Sequence, residues 1–277
     1  MTDMIAAIQD EVTTAVSKDQ LDLPTLPEVA LRIRDVAESE DVSAAKLVKA
    51  ISEDPGLSAQ IIKVANSAMF RAANTIEDLQ MAVSRVGIDY AANLAVGLAM
   101  QQMFQATSDI IDRKMRQVWG HATKVAAISS VLAKRYTSFK VDQAALAGLT
   151  HNIGALPVLA WAEENDHMIP DSITLDRAID GLQGALGTMI LGSWSFPPEI
   201  SLVPTHYASF ERDNSQPDLI DVVTVANLEA LAGTTHPLTK INWQDVTAYE
   251  HLGINPTMLS EEEVKDEMSE AISSFTS

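Results

Sequence analysis

The chain of 277 residues predicts an all-α fold. Three observations lead there. Apolar residues recur at three- and four-residue spacings along most of its length. Period-two runs rich in Val, Ile, Thr and Tyr are scarce, aromatic residues make up only 5%, and no convincing strand emerges. Prolines, glycines and capping residues cut the helical stretches at short intervals. About ten helices with short connections then form one compact domain, which can divide into two lobes. Apolar residues amount to 47%, enough for a large core in one large domain or two small ones.

The elements follow in order. Residues 1–17 suit a short amphipathic helix, with Ile5, Ile8, Val12 and Val16 on its apolar side. LDLPTLPEV (21–29) has prolines three apart, so it runs extended, and Pro27 then opens a helix to about Ser39 with Glu28 in its first turn. Ser43 is placed to cap a helix from Ala44 to Ile51, and Asp54-Pro55-Gly56 breaks and restarts the chain. Helices are expected over Leu57–Phe70, over Ile76–Val86 with Gly87 as C-cap, and from Asp89 to Phe104. Further helices are expected over Asp109–Tyr136, Val141–His151, Leu156–Asn165, Thr174–Trp194, Pro198–His206 and Pro217–Leu231. Beyond Thr235 the chain is more polar and less regular.

Acids outnumber bases 38 to 19, a net charge of −19 that repels a phosphate backbone. The acidic stretch Glu261–Glu270 reads as solvated helix or disorder. No apolar run approaches the roughly 18–20 residues of a membrane span, and the first residues lack a basic leader, so the expectation is a cytoplasmic protein. Cysteine is absent, which excludes thiolate chemistry and disulfides.

Three constellations offer function. Lys46–Phe70 has a helix-turn-helix outline, but its second helix carries only Lys63, Gln60 and Asn66 as readers of bases, so helical packing is the better reading and nucleic acid is not expected as a partner. The histidines divide into two groups. His121 lies on an apolar stripe with Val118, Val125 and Ile128, while His151 and His206 follow apolar runs; each is a core histidine on its own, or the three converge as a nitrogen-rich site. His167, His236 and His251 read as surface residues. No acid lies beside His151, where Asn152 stands, so a hydrolytic metal centre there lacks charge. Finally, Gly181, Gly184 and Gly187 fall on neighbouring turns of one helix and suit close packing; without a preceding strand or a Lys-Ser/Thr ending they are no phosphate loop.

These segments resemble the HDOD family, the output-domain relatives of HD and HD-GYP phosphohydrolases. LPTLPEVALRI carries the family's Leu-Pro-x-Leu-Pro opening at Leu23, Pro24, Leu26 and Pro27. SEDPGLSAQIIKVANSAMF is similar to its Asp-Pro-x-Leu … Asn-Ser block at Asp54, Pro55, Leu57, Asn66 and Ser67, and the third block ends at Gly87. The resemblance implies an HD-like helical domain over 21–233, with an N-terminal lobe to about 107 and an HD-like lobe from about 108. An extension at 1–20 precedes it, and an acidic extension at 234–277 follows.

In active relatives, histidines and aspartates at set positions bind metal. Here His121 and His151 match the first two histidines, but Asn152 stands for the bridging Asp, Gln183 for a His, His206-Tyr207 for a His pair and Asn227 for the final Asp. The resemblance therefore implies neither metal nor cofactor and no enzyme. It implies a regulatory module that contacts a signalling partner in trans: a sensor kinase, a receiver or a cyclic-dinucleotide enzyme. The alternatives are a degenerate pocket that holds a nucleotide or small anion, and an active metal phosphohydrolase.

Overall fold

The structure, a computed structural model, describes residues 2–18, 20–70, 75–169, 171–214 and 216–276. Met1, part of the first predicted helix, lies outside them, as does Ser277. Among the described residues there are α- and 3-10 helices and no strand.

The first six helices are α1 (Thr2–Ser17), α2 (Glu28–Glu38), α3 (Ala44–Ile51), α4 (Pro55–Ala65), α5 (Leu79–Val86) and α6 (Ile88–Ala99). Side-chain capping sets the starts of three of them. The side chains of Ser43, Asp54 and Asp78 accept from the backbone N–H groups of Lys46, Leu57 and Met81. The cap at Asp78 explains why α5 begins later than periodicity suggests. The segment 75–78 is extended because Asn66 holds it: Asn66 accepts from the Ile76 N–H and donates to the Ile76 carbonyl, both at 2.8 Å. Asn66 therefore serves the fold, and so do the other two candidate base readers. Gln60 donates to Gln101 and Lys63 to the Thr276 carbonyl. Gly87 ends α5 and begins α6 at φ 92°, ψ 158°, a backbone that only glycine adopts without strain. After Ala99 the chain tightens to a 3-10 turn over Met100–Met103, and Met100 and Phe104 are core residues.

The remaining helices are α7 (Asp109–Tyr136), α8 (Val141–Thr150), α9 (Ala155–Glu164), α10 (Ser172–Ser193), α11 (Pro198–Ser201), α12 (Val203–His206), α13 (Leu219–Leu231), α14 (Thr247–His251) and α15 (Glu262–Phe275). Pro204 opens α12, so the single helix expected over 198–206 is split in two. α7 is the central rod, packed by α8, α13 and α15. Its N-terminus is held from outside: Glu163 at the end of α9 accepts from the backbone N–H groups of Thr107 and Ser108, both at 2.7 Å. α6 bridges α2 to α8, where Asn93 donates to the buried Asp142 at 2.6 Å.

The acidic helix α15 is not simply solvated. Val264, Met268, Ala271 and Phe275 bury one face against α7 and α4, and Glu263 and Glu267 on the other side pair with Arg135. One apolar stretch, Val141–Glu164, is long and apolar enough to cross a bilayer by length and composition alone. It is folded as α8, a turn and α9, and its most apolar 18 residues are 94% buried.

The turn 151–154 between α8 and α9 lies hard against α10. A Cβ on Gly154 would collide with the backbone of Gln183 and Gly187, and one on Gly187 would lie 2.6 Å from the Pro204 ring. The glycines of α10 are thus the close-packing stripe that their spacing suggests. Backbone atoms cannot move aside as a side-chain tip can. Gly154→Ala is expected to cost about 3 kcal/mol or more, or to prevent folding, as read by urea denaturation; a loss below about 1 kcal/mol contradicts this packing.

Candidate functional site

Six of the seven residues picked from the sequence meet at one place. His121 projects from the middle of α7, Asn227 from α13, Gln183 from α10, His151 and Asn152 from the turn after α8, and Tyr207 from the end of α12. They form a chain of contacts. Asn227 Oδ1 lies 2.7 Å from His121 Nε2; the His121 and His151 rings stand edge-on at 5.6 Å between centroids; His151 meets Tyr207 edge-on at 4.8 Å; and Gln183 Nε2 donates to the Tyr207 hydroxyl at 3.0 Å. His206 does not join. Its half-buried ring makes no hydrogen bond or ring contact with any described residue of the cluster, and the neighbouring Tyr207 fills that position instead.

Backbone carbonyls fix the polar atoms. His151 Nδ1 is 2.7 Å from the Gly148 carbonyl, which can only accept, so Nδ1 carries the proton. Nε2 is then the lone-pair nitrogen of a neutral ring. Burial pushes the His151 pKa down to about 3, with the nearby His121 adding to the shift. Burial also lowers the His121 pKa, against the Asn227 hydrogen bond that raises it; the charges of Lys124 and His236 lower it further. Asn152 Nδ2 donates to the Val118 carbonyl at 3.0 Å, one helical turn before His121. Two buried acceptors are left without a donor: His151 Nε2 and Asn152 Oδ1.

Some members of the site were not picked out in the sequence. Thr224 donates to the Tyr207 carbonyl at 2.9 Å and fixes the segment that carries the ring. It sits one turn before Asn227, and Val118 sits one turn before His121; this i, i+3 spacing on one face was the available signal. Asp180 is the acid whose charge reaches Tyr207, adding to the burial that pushes the phenol far above its usual range. Burial raises the Asp180 pKa too, and the Asp176 charge adds to that. His251, read as a surface residue, lies with Nδ1 3.2 Å from the fully buried Asp221, in a network with Arg212 and Asn214 that ties α14 to α13.

The HD relationship implies a pair of metal ions, and the residues present do not fit one. The cluster offers neutral imidazoles, amides and a phenol. Among the described residues no carboxylate hydrogen-bonds any of them, and no group of three or more His, Asp or Glu has metal-binding geometry. Two divalent ions held there would have no anion to offset their charge.

Fold and site together define an all-helical HD-like domain with a neutral cluster of imidazoles, amides and a phenol. The family model for the HDOD domain matches residues 23–209, and the chain belongs to that family. It is similar to a protein from Shewanella amazonensis provisionally described as a metal-dependent phosphohydrolase, at 30% identity with a TM-score of 0.90 over 100% of both chains. A protein from Marinobacter aquaeolei, provisionally described as a signal transduction protein, shares the fold at 23% identity and a TM-score of 0.58, over 98% of this chain and 64% of that one. An uncharacterised protein of Treponema pallidum (strain Nichols) is 27% identical over 242 residues, which are 82% of this chain and 44% of that protein. The chain thus spans less than half the length of that curated relative.

The depressed His151 pKa makes stability depend on pH. The unfolded ring titrates near 6.5 and the folded one near 3, so the unfolded state binds the extra proton. The stability this contributes is complete above about pH 6.5 and drains as pH falls toward 3; the lowered His121 pKa has the same sign. Denaturant melts from pH 7 to 4 should lose up to about 1.4 kcal/mol per pH unit more in the native chain than in His151→Gln. Parallel pH profiles for the two would refute a neutral buried His151.

Proposed function

We propose that this HDOD protein works by contact, as a non-catalytic regulatory module whose helical surface engages a signalling protein in trans. One observation carries the reading: the cluster is neutral, with no carboxylate hydrogen-bonded to it among the described residues, and the family resemblance matches Asn152 and Asn227 to metal-holding aspartates. The Asn152 amide is moreover committed as a donor to the Val118 carbonyl, a bond no carboxylate can make. The family's association with signal transduction supports the second half of the proposal. The charge of −19 favours a partner with a basic face and a salt-sensitive on-rate.

The test is direct. The purified protein, offered Mn²⁺ or Fe²⁺, should bind neither stoichiometrically and should not turn over a phosphodiester substrate. The double variant Asn152→Asp/Asn227→Asp restores two carboxylates. It should bind a divalent ion at least about tenfold more tightly, measured by calorimetry, and should be less stable than the native chain without metal. Stoichiometric metal with turnover in the native chain would overturn the reading.

The two unpartnered acceptors favour a second reading, in which the closed site holds a small ligand without transforming it. His151 Nε2 and Asn152 Oδ1 present lone pairs, so such a ligand must offer hydrogen-bond donors, as the amino edge of a nucleobase does; a bare anion suits them poorly. A thermal-shift panel of nucleobases, nucleotides and simple anions separates the cases. A rise in melting temperature that is lost in His151→Gln supports this reading, and an unchanged panel removes it.

A further inference from the structure

The Leu-Pro-x-Leu-Pro opening builds a cleft of its own, away from the histidine cluster. Leu23, Pro24 and Leu26 form one wall and the C-terminal end of α10, with Trp194 and Ser195, forms the other; the volume is about 320 Å³. The walls are pinned together, since Trp194 Nε1 donates to the Pro24 carbonyl at 3.0 Å. Trp194 and Leu26 are nearly buried, while Leu31, 38% exposed, forms the rim.

Three features of the cleft offer contacts to another molecule. Arg34 lines it and forms no ion pair among the described residues, although acids outnumber bases two to one in the chain. Its Nη1 donates to the Trp194 carbonyl at 2.5 Å and its guanidinium lies 5.9 Å from the Phe196 ring centre, which leaves further N–H groups to offer. Ser195 is the one non-glycine residue with positive φ among those described, at 59°. It sits where a helix C-terminus ordinarily places glycine: its N–H reaches the Gly192 carbonyl and the Phe196 N–H the Leu191 carbonyl. A glycine would relieve that strain, so Ser195, which lines the cleft, holds this backbone at a cost to stability. Finally, Thr25 is exposed in the extended stretch and makes no backbone hydrogen bond among the described residues, so its edge can receive another chain.

We propose that this cleft docks the C-terminus of a partner protein ending in an apolar residue, with the terminal carboxylate on Arg34 and Ser195 and the last side chain between Leu26, Leu31 and Trp194. A chain end carries an apolar side chain and a carboxylate on one Cα, and the free edge at Thr25 extends the fit to a peptide backbone, which a free amino acid lacks. A guanidinium against an apolar floor binds a carboxylate more strongly than one in open water. The inference rests on the contact-module reading and names its surface.

The probes are an N-blocked pentapeptide ending in Leu with a free carboxylate, its C-terminal amide, and hexanoate. They are titrated into the full chain while the Trp194 indole N–H is followed by nuclear magnetic resonance. The acid peptide should shift that signal saturably, and the amide and Arg34→Gln should each cost at least about tenfold in affinity. Ser195→Gly keeps the proposal testable if Arg34→Gln folds poorly. It should raise the melting temperature and still weaken the peptide about threefold. Equal binding of acid and amide, full affinity in both variants, hexanoate matching the peptide, or no saturable shift would each overturn the proposal. If Arg34→Gln captures the same signalling partner from host extract as the native chain, the cleft fails and the contact reading stands. If the peptide binds but the native chain has no partner, the contact reading fails and the cleft stands.

Discussion

The turn from His151 to Gly154 is the constraint on which the rest of the structure depends. Three helices converge on it, and none of its polar or steric requirements can be met elsewhere. Asn152 fastens it to α7 through the Val118 carbonyl, His151 closes back on α8 through the Gly148 carbonyl, and Gly154 lets the backbone of α10 come into contact. Because both side chains spend a donor on backbone carbonyls, their remaining atoms face inward as acceptors. The neutral histidine and the unfilled lone pairs are therefore consequences of how the turn is held.

That arrangement explains why the losses of charge come together. In a site that holds metal, each buried carboxylate is balanced by a cation. Without the cation, an aspartate at 152 would set its charge against the Val118 carbonyl in a region where Asn152 is 5% exposed. An unpaired buried anion costs several kcal/mol. The amide at Asn227 instead accepts from His121 without raising its charge, and Tyr207 covers His151 with an apolar edge. Without a metal ion, a buried carboxylate there would be a liability, and neutral groups of the same shape are the stable solution.

Much of this was legible in the sequence, for identifiable reasons. The long helix α7 and the caps at Ser43 and Asp54 are local features, set by periodicity and by side chains three residues from the groups they satisfy. Six residues of the cluster were named beforehand because the family pattern supplied positions that spacing alone could not. What stayed hidden was long-range. Whether His206 or Tyr207 turns inward depends on the split at Pro204 and on Thr224, which lies on another helix. His251 looked polar and exposed because Asp221, its partner, is 30 residues away. The buried face of α15 was masked by its acids, which pair with Arg135 far back in the chain.

One helix contributes to both the histidine cluster and the Trp194 cleft. Gln183 of α10 sits in the closed histidine cluster and Trp194 at its C-terminal end sits in the cleft, eleven residues or about 16 Å further along. A docking surface holds its geometry only if the element presenting it is rigid. The packing of Gly154 and Pro204 against α10 supplies that rigidity. A hydrolase must leave its centre accessible and mobile enough to release product. A protein that works by contact, as we propose for this one, has no such need.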